Sequence, residues 1–478
     1  MPKTIIFFLL LSITIYSQNF LVVDSLDRKL IDLTFNDEYI KVKNICDSLV
    51  GLDNKNPQYY FHYFSADALQ LHETINRSPL KDRDSLREIL VDKSIEKLEN
   101  AIQILDELEP TPLNRFYIAS LHGYYSRYAG LNRYWWAAYV NGKKANGMFE
   151  DIIEEYPKCY DAYLYPGVFG YYAAKLNGFN GFIASILGVS GSREEGIKQI
   201  KLALDKGNMV YPQALLMMLE TNTVMEDNPY KAIPFFKKFI KKYPKNKRVV
   251  NWYSHTLLNL NKTEKIAELI KEDSLGIVDD FVKTKFFFLT GKIDSAIIYS
   301  ESAFNNPNTW KGIIEHTKYF SVYSNWLKKK NEIVIKQKSE LNDFYKSLFE
   351  LDIKNETESK YIYKLTTLFA KGNYKNFEKL LLEKPVFKED YFEAEFNLLN
   401  GIFLFRKNKL DEALHFFKQA EKSNDRRKRT IALRYQLDIY LQTLRSTEDA
   451  EFLMERIEDT DFGKLIFRLD DLREKYNL

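Results

Sequence analysis

Apolar residues recur along most of the chain at intervals of three and four, the period of helices with one buried face. Between Phe235 and Arg248 the apolar Phe235, Phe236, Phe239 and Ile240 alternate with Lys237, Lys238, Lys241 and Lys242, a packed face set against a solvated one. Asp84 to Leu108 reads as one long amphipathic helix ended by Pro110. Thr430–Leu444, Thr447–Ile457 and Phe462–Tyr476 read as three terminal helices that cover the last hydrophobic face. No period-2 alternation persists long enough to predict a sheet, so the expected class is all-α.

The helical pattern also repeats. Residues 394–427 carry Gly401, Ala413, Phe417 and Ala420, spaced 12, 4 and 3 apart, with a turn at Asn408-Lys409-Leu410-Asp411. Ala296 and Ala303 follow a Gly291-Lys292 turn; Ala232 and Phe236 precede Tyr243-Pro244, with Phe239 where a small residue is expected; Ala145 and Phe149 precede Tyr156-Pro157. A degenerate copy surrounds Gly372, Phe377 and Leu381, and successive marks lie about 35 residues apart. In this spacing and period the chain resembles the tetratricopeptide repeat (TPR) family, in which small residues let paired helices approach with an aromatic wedged between them. The resemblance implies a right-handed α-α superhelical solenoid of TPR-like helix pairs whose first helices line a binding face. It divides the chain into 18–130, degenerate N-terminal helical repeats; 131–310, TPR-like repeats with an insertion at 176–194; 311–357, an irregular helical segment; and 358–478, TPR-like repeats with capping helices.

The insertion is the one break in phase. Tyr163 and Gly167 hold first-helix positions, and Gly196, Ile200 and Ala203 hold those of the matching second helix. About 17 residues more than a regular repeat needs lie between them. They include Phe179 and Phe182, and Tyr134, Trp135, Trp136, Tyr163, Phe169 and Tyr172 lie nearby in sequence. Core packing accounts for such residues most simply. Inserts and exposed aromatics also carry binding, which makes these eight the candidate partner-binding residues.

Residues 1–17 set the expected compartment. Lys3 is followed by a largely apolar run from Ile5 to Ile15 and by the small Ser17, the form of a cleaved secretory signal peptide. No later stretch reaches 18 uninterrupted apolar residues, so no transmembrane span is expected in the mature chain. An exported protein, periplasmic or secreted, follows, and the style of leader and composition is bacterial. Cys46 and Cys159 are distant in a repeat array, which predicts two free, buried thiols and no disulfide.

Composition narrows the function. Only 19 Gly and 13 Pro in 478 residues fit helices on short connections, and the 34 Phe and 32 Tyr fit interhelical packing. With 69 basic against 66 acidic residues, no global field steers the chain to nucleic acid. No phosphate-binding glycine loop, nucleophile elbow or H-E-x-x-H occurs. The six histidines (62, 72, 122, 255, 316 and 415) are scattered and read as core or surface side chains. No enzyme activity, cofactor or metal is expected. The sequence predicts a non-catalytic envelope scaffold binding another protein or peptide segment; the alternative is an envelope glycan- or nutrient-binding protein with an aromatic-lined groove.

Overall fold

A computed structural model of the chain describes residues 20–78, 82–174, 191–226, 228–306, 309, 311–443, 447–461 and 469. The expected signal peptide, most of the 176–194 insertion with Phe179 and Phe182, and nearly all of the expected Phe462–Tyr476 helix lie outside the described residues. Among the described residues there are helices and no strand. The all-α class of TPR-like helix pairs is thereby met.

Two compact units divide the chain, residues 1–221 with 230–249, and residues 222–229 with 250–478. The first holds α1 (Ser25–Phe35), α2 (Tyr39–Leu52), α3 (Pro57–Arg77), α4 (Arg83–Leu105), α5 (Pro112–Leu131), α6 (Trp135–Glu155), α7 (164–174), α8 (Arg193–Lys206), α9 (Tyr211–Glu220) and α10 (Pro229–Lys242). The second begins within α11 (Lys247–Asn259) and continues as α12 (Thr263–Glu272), α13 (Asp280–Leu289), α14 (Ile293–Asn305), α15 (Lys311–Leu327), α16 (Asn331–Ser339), α17 (Asp343–Lys354), α18 (Glu356–Ala370), α19 (Tyr374–Leu381), α20 (Asp390–Arg406), α21 (Leu410–Ala420), α22 (Arg426–Thr443) and α23 (Thr447–Asp461).

Among the described residues one three-residue turn recurs seven times, at 36–38, 132–134, 260–262, 290–292, 328–330, 371–373 and 407–409. Its middle residue takes a left-handed conformation: Asp37, Arg133, Asn261, Gly291, Lys329, Gly372 or Asn408. The following amide then reaches back five residues, as Lys292 N to Phe287 O (2.8 Å), Lys409 N to Leu404 O (3.0 Å) and Tyr134 N to Ala129 O (2.8 Å). This is the Schellman closure, which satisfies the orphan carbonyls of a helix end and reverses the chain. The next helix starts at once, so each turn makes an antiparallel pair.

Pairs stack within each unit. In the second, α13 packs on α14 and on the next first helix, α15; α20 packs on α21 and on α22. In the first, α5 packs on α6 and on the preceding first helix, α3. The motif positions do what their spacing requires. A Cβ on Gly401 would stand 2.7 Å from the Phe417 ring, while Ala413, Phe417 and Ala420 are fully buried. Phe417 in turn stacks on Tyr435 of the next helix (4.7 Å between centroids, 3° between planes).

The interrupted repeat keeps the same pairing. A Cβ on Gly167 would lie 2.9 Å from the carbonyl oxygen of Gly196, and one on Gly196 would lie 2.7 Å from that of Gly167. Thus α7 and α8 touch backbone to backbone although residues 175–192 separate them in sequence. Ile200 and Ala203 are buried beside this contact. Cys46 and Cys159 are free and buried, and burial pushes each thiol up to about 12.

Candidate functional site

Buried ionic groups in the first unit are mostly partnered, which makes them structural. Asp27 accepts hydrogen bonds from Gln58 (2.8 Å) and pairs with His62 (2.7 Å). Burial raises this carboxyl, but those bonds more than offset it and leave it below the ordinary value. Asp67 accepts from Lys43 (2.8 Å), Ser94 (2.7 Å) and Tyr128 (3.0 Å).

A different set lies on the successive first helices α3, α5, α7, α9 and the start of α11. Tyr172 donates to Glu220 Oε1 (2.8 Å), linking α7 to α9. Gln213 Nε2 donates to Ser65 Oγ (3.4 Å), linking α9 to α3, with the Tyr124 hydroxyl of α5 beside both. The amide oxygens of Gln70 and Gln213 are buried and unpartnered.

Arg127 on α5 and Arg248 on α11 act on one another and on His72 of α3. Neither guanidinium has an ion-pair or hydrogen-bond partner among the described residues. Burial, followed by the charge of Arg127, lowers Arg248; Tyr39, Glu220 and Asp37 oppose this. Burial and the two arginines hold His72 down to about 3, so its ring is neutral at pH 7. Five first helices therefore bring together two unpaired guanidinia, tyrosine hydroxyls, amides and a carboxylate. Such groups bind peptide carbonyls and carboxylates, and the described part of this face provides no nucleophile and base in contact. No group of three or more His, Cys, Asp or Glu able to hold a metal occurs among the described residues.

The eight residues expected from sequence separate into different settings. Tyr134, Trp135 and Trp136 stand exposed at the start of α6, the two indoles at 68% and 69%. Trp136 lies 5.8 Å from Tyr139, and Tyr134 donates to Asp92 (3.1 Å). Tyr163 sits in a single 3-10 turn (Tyr160–Tyr163) and donates to the carbonyl of Pro157 (3.1 Å). Phe169 stacks on Tyr165 (6.5 Å, 18°), which stacks on Phe149 (5.6 Å, 25°), so Phe169 belongs to the packing of this repeat. Of the six that are described, Tyr172 alone reaches the polar first-helix face. Phe179 and Phe182 lie outside the described residues. Arg127, Glu220 and Arg248 escaped the sequence reading because lone charges on amphipathic helices look like solvated surface. The usable signal was their place on the first helix of each pair.

No helix among the described residues is long and apolar enough to cross a membrane. The sequence matches no family model and no curated protein. Solved structures to which the chain is similar include the APC/C hetero-tetramer Cut9-Hcn1 (13% identity, TM-score 0.23, covering 91% of this chain and 86% of that one). Others are the human IFIT1 dimer with m7Gppp-AAAA (12%, 0.25, 96% and 95%) and yeast Tom70 (11%, 0.23, 93% and 87%). The assignment of TPR-like pairs rests on this chain's own turns, glycine contacts and pairings rather than on these likenesses.

Proposed function

We propose that this protein is an exported, non-catalytic scaffold that binds a segment of another protein along the first helices of its repeats. The observation that carries the reading is the pair of unpaired guanidinia, Arg127 and Arg248, beside the Tyr172–Glu220 bond. Like charges held near one another cost stability, and a bound anionic or carbonyl ligand lowers that cost. Export rests on the first 17 residues, with Lys3, the apolar run and Ser17. A bacterial cell envelope is the setting that leader suits.

The test is selection of binding peptides from a random library on the immobilised full chain. Binding lost in Arg127→Ala/Arg248→Ala and kept in Trp135→Ala/Trp136→Ala supports the scaffold. A second reading, a glycan-binding protein, draws on the exposed Trp135 and Trp136, since sugars stack on accessible indoles. Glycan-array binding abolished by the tryptophan variants, with no peptide retained, replaces the first reading with the second.

A further inference from the structure

The second unit holds a row of rings contributed by three successive first helices. His255 of α11 stacks on Phe281 of α13 (5.3 Å, 29°), and Phe281 lies 5.7 Å from His316 of α15. His316 stacks on Phe320 (4.6 Å, 23°) and on Tyr345 of α17 (5.8 Å, 19°). One turn beyond Phe281, on the same face of α13, stands Lys285.

Lys285 has no ion-pair or hydrogen-bond partner among the described residues, and neither do the two imidazoles. All three side chains are only partly buried, so a ligand can reach them. Burial lowers Lys285 from its ordinary value. Burial, then the charge of Lys285, holds His255 down to about 4; burial, then Lys285, Arg427 and His255, does the same to His316.

The surrounding ionisable groups leave this set cationic. Lys283, on the opposite side of the α13 turn, is taken by Asp273 (3.4 Å) and Asp280 (3.9 Å). Glu315 of α15 is held by Lys318 (2.8 Å) and by the amide of Asn342 (3.1 Å). Asp352 of α17 is closed off by Tyr319 (2.7 Å) and Ser359 (2.6 Å). Arg427 of α22 adds a further positive charge, and Tyr345 is a neutral phenol.

We propose that His255, Lys285 and His316 form a binding site for an acidic peptide segment, whose carboxylate becomes the missing counter-ion of Lys285 between two imidazoles. This rests on reading the chain as a peptide-binding scaffold. Charge complementarity selects an acidic occupant, and the flanking Phe281, Phe320 and Tyr345 favour a chain that also presents apolar groups. A bound carboxylate stabilises both imidazoliums, so binding takes up protons and strengthens as pH falls through the weakly acidic range.

The probe is an end-capped, fluorescein-labelled hexaglutamate peptide titrated against the full chain at pH 7.5 and 5.5, with inorganic phosphate in a parallel arm. Affinity rises roughly tenfold at the lower pH and falls at least roughly tenfold in Lys285→Met, which keeps the aliphatic stem without the charge. In the Arg127→Ala/Arg248→Ala background, which removes any hexaglutamate held at the arginine face, the gain at pH 5.5 and the loss caused by Lys285→Met both persist. This separates failure of the present site from failure of the arginine face. Independently of any variant, the histidine C2–H resonances of His255 and His316 titrate at higher pH when the peptide is bound. Unchanged affinity in Lys285→Met, unmoved histidine titrations, no peptide binding, or phosphate displacing the peptide at equal concentration each overturns the proposal, the last in favour of a free-anion site.

Discussion

Gly401 shows how little room the repeat leaves at its crossing point. The Phe417 ring fills the space a side chain would need, with three ring atoms within 3.0 Å of a Cβ placed there. Gly123 takes the Tyr165 ring in the same way, 2.7 Å from its Cβ position. Gly401→Val forces Phe417 out of its stack on Tyr435 and costs about 1–3 kcal/mol, read as a lower urea midpoint at unchanged slope. An unaltered midpoint contradicts this close approach. Gly401 and Phe417 were legible because their spacing is that of a repeat. Gly123 was not, since its partner Tyr165 comes from the next pair and not from a fixed offset in sequence.

At the scale of the element, the seven three-residue turns use one backbone conformation with very different residues. Gly291, Gly372, Asn261 and Asn408 suit a left-handed position; Lys329 and Arg133 do not, yet adopt it at φ 58° and 62°. The α15–α16 pair was therefore invisible within 311–357: its turn is three lysines, Lys328-Lys329-Lys330, and carries no breaker signal. Packing of Val322, Tyr323 and Val334 in one core decides the turn there, and propensity gives way. Gly372 has open space around its Cβ position, so Gly372→Ala isolates the conformational cost, about 1–2 kcal/mol. Lys329→Gly relieves the same strain and raises stability by up to about 1 kcal/mol. Parallel urea unfolding of the two variants checks the pair, and shifts of the same sign would refute the common geometry.

Across the whole molecule, buried ionisable groups set the response to acid. His72 is held down to about 3, and His255 and His316 to about 4, with burial the first cause in each. The folded chain binds these protons less readily than the unfolded one. Their contribution to stability is complete above the ordinary histidine value near 6.5 and is lost as pH falls toward 4. Asp37 and Asp352, raised by burial to about 6, act with opposite sign: their contribution is present at low pH and lost as pH rises through 6. Replacing the two stacked imidazoles, as His255→Phe/His316→Phe, removes two of the three groups behind the first effect and leaves the second untouched. The double variant then loses less stability than wild type between pH 7 and 5, measured by urea midpoints at each pH. Equal losses would mean that neither ring is held neutral.

Sequence alone determined the helical class, the pairing of helices about Gly401 and Phe417, the joining of Gly167 to Gly196 across an interruption, and two free buried thiols. Each is a local matter of period, residue volume or chain distance, and such properties are written in consecutive residues. Which charges remain without a partner was decided only in three dimensions. Lys283 and Lys285 are two residues apart on one helix, and the first meets Asp273 and Asp280 while the second has no ion-pair partner among the described residues. Arg127 and Arg248 come together from helices more than a hundred residues apart. Electrostatic partnership depends on distance through space, which the stacking of the pairs sets and no sequence offset encodes.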